Sequence, residues 1–259
     1  MAGELDVIRL KVTRAEKHFE EFKAAVGLGP DERKLDLASV TVNSADNTLL
    51  YHNHKPTPPP ETRIILGDSI HQLRAALDHL VCVLAMRTNA RNVCEDSKLQ
   101  FPIVKTEPDF RSDWRVSKGV YEQLLGKAEL KEIERCQPYA LAPQKPEGHP
   151  LYVLTKLDNI DKHRLVLVVE QAVRLSGAYV RPGDEILPYD SGKQTLTGGK
   201  YLVQLTPPER PYGLQLHPAV AYIVFAETDG LCDGRSIFPL FREMAAAVKD
   251  TIARFDQFF

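Results

Sequence analysis

The sequence predicts an α+β fold in which long helices pack on one mainly antiparallel β-sheet within a single domain. Three observations lead to this prediction. Apolar residues recur at helical spacing in several long segments, segments of alternating polarity indicate strands, and their order lacks the strict strand–helix alternation of a doubly wound sheet. A length of 259 residues suits one large domain or two small ones, and we expect one.

Each element is predicted from its local pattern. Helices are assigned where apolar residues recur at steps of three and four, as in the stripe that begins at Leu5. Strands are assigned where apolar and polar residues alternate, and Gly- or Pro-containing turns separate the elements. In chain order, the prediction is a helix at 4–26, a hairpin at 35–54, a central helix at 62–87, an irregular region with short helices at 100–136, a helix at 150–160, a β-rich region at 164–226 and a C-terminal helix at 237–257.

Composition excludes several classes of protein. Lys and Arg number 33 against 35 Asp and Glu, so the formal charge of −2 disfavours a mainly electrostatic nucleic-acid binder. The four cysteines show no C-x-x-C spacing, which disfavours a zinc knuckle or a disulfide framework. No window approaches the roughly 18 apolar residues of a membrane span, and the first residues are charged. We therefore expect a cytoplasmic protein with no membrane partner.

The central helix carries unusual polar residues. Apolar side chains between residues 70 and 84 share one broad face, while His71, Arg74 and Asp78 lie on the opposite one. Gly67 stands one turn earlier, where a helix-interior glycine costs about 1 kcal/mol and indicates close packing. The sequence thus predicts a helix covered on both sides, with a partly enclosed polar pocket. The alternative is structural, because Arg74 and Asp78 stand four residues apart and can pair.

A second polar segment, DNIDKHR at 158–164, ends the helix predicted at 150–160. Cations at a helix C-terminus complement the helix dipole, which is the structural interpretation. The functional interpretation places Asp161 or His163 opposite His71 and Asp78 for acid–base chemistry. The candidate catalytic residues are His71, Arg74, Asp78, His79, Asp161 and His163, and the candidate substrate-binding residues are Asp158 and Arg164.

Two short motifs resemble known enzyme families. Arg74 and His79 have the R-x4–6-H spacing of HEPN-type ribonucleases; the resemblance implies proton transfer by His79, charge stabilisation by Arg74, an RNA partner and a homodimer. The TRIILGDSIH segment is similar to the Gly-Asp-Ser region of SGNH-type esterases, which implies Ser69 as nucleophile with Asp161 and His163 completing a triad.

A metal site is a further hypothesis. His71, Asp78 or His79 on one segment, with Asp158, Asp161 or His163 on the other, would supply N and O ligands suited to zinc, iron or manganese. The chain lacks the H-E-x-x-H spacing of a metalloprotease. A metal-dependent hydrolase stays open, and the sequence identifies no cofactor.

A longer set of motifs resembles a family of uncharacterised bacterial proteins of similar length. The segments are GDSIHQLRAALDHLV at 67–81, FPI at 101–103, CQPY at 136–139 and LDNIDKHRLV at 157–166. This resemblance implies a single-domain bacterial protein and no particular activity.

Taken together, the residues predict an enzyme or binding module that acts on a small anionic or phosphate-bearing substrate. Arg74 and Arg164 would hold the anion and a histidine would transfer protons. HEPN-like RNA cleavage is its most concrete form. The non-enzymatic alternative is a buried polar network that fixes the central helix.

Overall fold

The computed structural model describes most of the chain, in part through the backbone alone. Parts of the predicted hairpin (35–36, 44–47 and 54) and of the β-rich region lie outside the described residues. Backbone is described for residues 3–26, 37–43, 48–53, 58–87, 99–164, 167–180, 186–195, 200–204, 213–216, 220–226, 228, 230–232 and 235–259. Side chains are described for residues 3–26, 58–87, 99–163, 167, 225, 228, 230–232 and 235–259.

The long helices form where the sequence has long apolar stripes. At the start of α1, the Asp6 carboxylate accepts the Gly3 N–H at 2.8 Å, which satisfies a donor that the helix leaves unpaired. The helices are α1 (Glu4–Ala25), α2 (Glu61–Arg87), α3 (Glu107–Ser112), α4 (Trp114–Ser117), α5 (Val120–Leu124), α6 (Lys127–Arg135), α7 (Pro138–Leu141), α8 (Pro150–Arg164) and α9 (Ile237–Arg254), with 3-10 turns at Pro146–Gly148 and Asp256–Phe258.

Helix α2 lies at the centre of the helical core and packs against α1, α8 and α9. Its leucines from Leu66 to Leu84 are buried, and removing each from water contributes about 1.5–3 kcal/mol. Aromatic side chains join α1 to α9: the rings of Phe19 and Phe241 stack with centroids 3.8 Å apart. The core is thus built by helices that cover one another.

The strands are described through their backbone and form two separate antiparallel ladders. One ladder has the order β1-β2-β5; in the other, β3 pairs with β4, β6 and β7. The strands are β1 (Leu37–Asn43), β2 (Thr48–Asn53), β3 (Val168–Val180), β4 (Ile186–Thr195), β5 (Lys200–Gln204), β6 (Gly213–Leu216) and β7 (Val220–Ala226).

The predicted α+β fold, with long helices packed on one mainly antiparallel sheet, is wrong. Helices make up 77% of the region whose side chains the structure describes, and Phe225 of β7 is the one strand residue whose side chain is described there. The apolar faces of α1, α2, α8 and α9 cover one another, so they need no sheet to bury them. Helical periodicity identifies which face of a helix is apolar. It does not show whether another helix or a sheet will cover that face.

Helix α8 also differs from its prediction. It continues to Arg164, so all seven residues of the DNIDKHR segment are helical and no turn ends the helix at 160. The physical reason is a pairing that the segment makes within the helix: Lys162 Nζ lies 2.6 Å from Asp158 Oδ2, four residues earlier. The polar residues therefore project from a regular helix that faces α2.

Candidate functional site: two polar clusters on the central helix

Helices α2 and α8 run antiparallel where their polar segments meet. Gly67 lies beside Asp161, and one turn along α2, His71 lies beside Asp158. A Cβ placed on Gly67 would lie 2.7 Å from both carboxylate oxygens of Asp161, closer than real Cβ atoms approach. The glycine that the sequence marks as costly therefore admits the Asp161 side chain between the two helices.

The first cluster, called here the His71 cluster, comprises His71, Asp158, Asp161 and Lys162. His71 Nδ1 lies 3.0 Å from Asp158 Oδ1, and Lys162 Nζ lies 2.6 Å from Oδ2 of the same carboxylate. The Asp158 side chain is 3% exposed and that of His71 is 47% exposed. A buried carboxylate thus has a partner on each oxygen, as a buried charge requires, while the imidazole reaches solvent.

Asp161 adds a second titratable group beside His71. Burial raises the pKa of its carboxyl, and the nearby carboxylates of Asp158 and Asp68 raise it further. The backbone N–H of Leu167 and the imidazole of His71 act in the opposite direction. The His71 cluster therefore combines an imidazole with a carboxyl whose proton is held more tightly than usual.

The second cluster, called here the Arg74 cluster, joins α2 to the chain segment before α3. Arg74 Nη2 donates to the carbonyl oxygen of Phe101 at 2.8 Å and lies 2.8 Å from Asp78 Oδ1. Asp78 Oδ1 in turn accepts the backbone N–H of Phe101 at 2.8 Å. Both backbone groups of one residue are held by an ion pair on α2, which closes a ring of polar contacts.

Burial dominates the electrostatics of the Arg74 cluster. It raises the pKa of Asp78, against the lowering effects of Arg74 and of the Phe101 N–H. It also lowers the pKa of Arg74, although a guanidinium stays charged at any physiological pH. Arg74 Nη1 is buried as well, with no hydrogen-bond partner among the described residues. A guanidinium in this position holds Asp78 and the Phe101 backbone, and it has no exposed pair of N–H groups with which to bind an anion.

Sequence reasoning missed Gln137, which lies in the CQPY segment. Its side chain is fully buried, with Nε2 donating to the carbonyl oxygens of Pro102 and Ile133 at 2.8 and 2.9 Å. Its Oε1 accepts the backbone N–H of Val104 at 3.1 Å. The available signal was a glutamine directly before a proline at a helix start, but its target, the FPI segment, lies far away in sequence.

Lys162 was also left out of the candidate residues. Its spacing of four residues from Asp158 on one helix was the signal that could have identified it.

The remaining candidates lie apart from these clusters. His79 is exposed on the α1 side, where partial burial and the nearby charge of Lys11 lower its pKa. His163 is exposed and lines a separate cleft. The side chain of Arg164 lies outside the described residues. The predicted single pocket is therefore divided between His71 with Asp158 and Asp161, Arg74 with Asp78, and two histidines elsewhere.

The geometry gives no support to the HEPN-like ribonuclease expectation. Arg74 is buried against Phe101, whereas His79 points toward α1, so the two side chains do not converge on one site. A regular helix turns about 100° per residue, so positions five apart face about 140° away from each other. On a regular helix, the five-residue spacing of Arg74 and His79 therefore does not place the two side chains on one face.

The esterase expectation fails for a local reason. Ser69 is fully buried within α2, and its Oγ donates to the carbonyl oxygen of Ile65 at 2.8 Å. A helix interior hydroxyl that bonds its own backbone one turn earlier is a structural feature. Buried and bonded in this way, Ser69 is not positioned to attack a substrate, so the structure gives no support to an esterase that uses it.

The metal hypothesis finds no site in the described part of the chain. Among those residues, no group of three or more His, Cys, Asp or Glu side chains is arranged to hold a metal ion. In the His71 cluster, both oxygens of Asp158 are already engaged by nitrogen partners.

The fold and the two clusters define a helical protein with one buried polar network, the Arg74 cluster, and one half-exposed imidazole–carboxylate pair, in the His71 cluster. The chain matches no protein-family model, no curated protein and no solved structure. Within the described residues, no helix has the length and apolar character needed to span a membrane. The bacterial family resemblance, the cytoplasmic location and the homodimer therefore stay predictions.

Proposed function

We propose that the His71 cluster is an acid–base site, at which His71 exchanges a proton with a bound small molecule. The observation that carries the proposal is the contrast in exposure within one contact: a buried Asp158 holds Nδ1 of a half-exposed imidazole. A neutral imidazole has one nitrogen that donates and one that accepts a proton, and a buried carboxylate fixes both its orientation and its tautomer.

The direction of the contact determines what the imidazole can do. If Nδ1–H donates to Asp158, the lone pair of a neutral imidazole resides on Nε2, which has no partner among the described residues. Lys162 pairs with the other oxygen of Asp158, so both carboxylate oxygens have a nitrogen partner while one of them orients the ring. Asp161 supplies a second group able to hold or release a proton.

The charges around His71 favour a neutral reacting group over a phosphate. Three carboxylates, Asp68, Asp158 and Asp161, interact with the site or with one another, and among the described side chains Lys162 is the one ammonium paired with them. The predicted anion clamp depended on Arg74 and Arg164; the Arg74 guanidinium is engaged by Asp78 and by the Phe101 carbonyl, and the Arg164 side chain lies outside the described residues. An anionic substrate would therefore need its charge held away from the reacting atom.

The test is to measure the tautomer and reactivity of His71 directly. Long-range proton–nitrogen spectra should show His71 as the Nδ1–H tautomer, and diethyl pyrocarbonate should modify its Nε2 faster than it modifies His79. His79 is the matched control because it is exposed on the same helix and has no carboxylate bonded to its ring in the described structure. Asp158→Asn should slow the modification of His71 and leave that of His79 unchanged.

Three results would overturn the proposal. They are a His71 ring in the Nε2–H tautomer, a reactivity no greater than that of His79, and a His71→Gln variant that loses more than about 2 kcal/mol of unfolding free energy. A loss that large is typical of a buried structural hydrogen bond.

The Arg74 cluster supports a second, non-enzymatic role. Its ring of contacts with Phe101 is closed and buried, so we propose that it is a structural network that holds the 99–104 segment against α2. This role is compatible with an acid–base site one turn away.

A further inference from the structure

A cleft of about 550 Å³ lies on the face of α8 that points away from α2. At 100° per residue, Tyr152, Lys156, Asn159 and His163 share one stripe of the helix, opposite the stripe of Asp158. The volume falls within the range of about 300–1,000 Å³ typical of small-molecule sites. The cleft is therefore separate from the His71 cluster.

The far wall of the cleft is formed by Thr228, Gly230 and Leu231, which follow β7 in the chain. The backbone N–H of Leu231 donates to the carbonyl oxygen of Thr228 at 3.0 Å, and that of Cys232 donates to Thr228 Oγ1 at 3.1 Å. Gly230 adopts φ 77°, a left-handed conformation that favours glycine. Thr228 and Cys232 are buried, so this wall is anchored in the core.

The cleft carries cations that lack carboxylate partners within the described structure. Lys156 Nζ lies 5.4 Å from the ring centroid of Tyr152, and neither Lys156 nor His163 forms an ion pair with a described residue. Lys162, on the same helix, is by contrast paired with Asp158. Glu147 also lines the cleft but pairs with neither cation there.

We propose that this cleft binds a small planar aromatic molecule that carries one anionic group. The anion would contact Lys156, with His163 adding charge when protonated, and the ring would lie against Tyr152 and Leu231. The Asn159 amide offers a donor and an acceptor for the edge of the ring. Aromatic carboxylates and mononucleotides share this chemistry.

The experiment is a titration of the full chain followed by amide proton–nitrogen spectra. The probes are benzoate and adenosine monophosphate, with benzamide and adenosine as their neutral counterparts. We expect saturable shifts at Tyr152, Asn159 and Leu231 with at least one anion and weaker binding of its neutral counterpart. Binding of benzoate alone identifies a carboxylate ligand, and binding of the nucleotide alone identifies a phosphate ligand.

Lys156→Ala should weaken binding of the active probe about tenfold, the effect of removing one charge-assisted contact. Lys127→Ala is the matched control, because Lys127 is 87% exposed and lies outside the cleft. His71→Gln should bind like the wild type, which separates this site from the acid–base proposal. The inference is overturned if neither anion binds saturably, if the neutral probes bind equally well, or if both lysine variants behave alike.

Discussion

The Arg74 and His71 clusters lie one turn apart on α2, yet they differ in how deeply their side chains are buried. The side chain of Arg74 is 7% exposed and that of His71 is 47% exposed. The Phe101 backbone closes over the first cluster, whereas the second leaves one imidazole nitrogen open among the described residues. Similar polar residues on one helix thus become a brace or a candidate reaction site according to what covers them.

The largest expected effect on stability comes from a substitution in the Arg74 cluster. Arg74→Ala should lower the free energy of unfolding by about 3–5 kcal/mol, because it leaves the Asp78 carboxylate and the Phe101 carbonyl without their partner. Urea unfolding followed by circular dichroism measures this. Arg111→Ala, which removes a surface pair with Glu134, should cost less than about 1 kcal/mol. Equal losses in the two variants would show that the Arg74 pair contributes no more to stability than a surface pair does.

Gln137→Ala tests a second set of side-chain contacts to the segment that the Arg74 cluster holds. The substitution leaves the Val104 N–H and the Pro102 carbonyl unpaired in a buried position, so we expect a loss of about 2–3 kcal/mol. The control is Gln257→Ala, whose exposed amide donates to the Arg254 carbonyl and should matter by less than about 0.5 kcal/mol. A Gln137→Ala chain as stable as the control would show that this segment is held by other contacts.

The contact between Gly67 and Asp161 can be measured with a double-mutant cycle. In a free helix, Gly→Ala stabilises by about 1 kcal/mol, but here the new Cβ displaces the Asp161 carboxylate, so Gly67→Ala should bring no gain. In an Asp161→Ala background the same change should stabilise by about 1 kcal/mol. Additive effects would mean that the two helices tolerate the methyl group without adjustment.

The smallest effect concerns pH and reports on the His71 cluster. Since burial raises the pKa of Asp161, the folded chain holds this proton more tightly than the unfolded chain does. The resulting stability is fully present below the ordinary aspartate pKa of about 3.9 and is lost as the pH rises through the raised value. The unfolding free energy of the wild type relative to Asp161→Asn should therefore fall across this interval and then level off. A difference that grows with pH contradicts the raised pKa.

The sequence predicted local features, such as pairs within one helix, better than contacts between distant segments. The Arg74–Asp78 spacing indicated a pair, and the conspicuous Gly67 indicated close packing; the structure has both features. The partners of these residues, the Phe101 backbone and the Asp161 carboxylate, lie 23 or more positions away. No local pattern specifies contacts at that separation, which is why Gln137 was also missed.

By itself, the sequence determined where helices form and which of their faces are apolar, because helix periodicity and i, i+4 pairing act within a few residues. Only the tertiary structure decided what covers each face. It replaced the expected sheet by helices in the described core, buried Arg74 and left His71 half-exposed. The physical reason is that burial depends on which distant segment packs against a side chain, and burial determines whether a charge serves as a brace or remains available for chemistry.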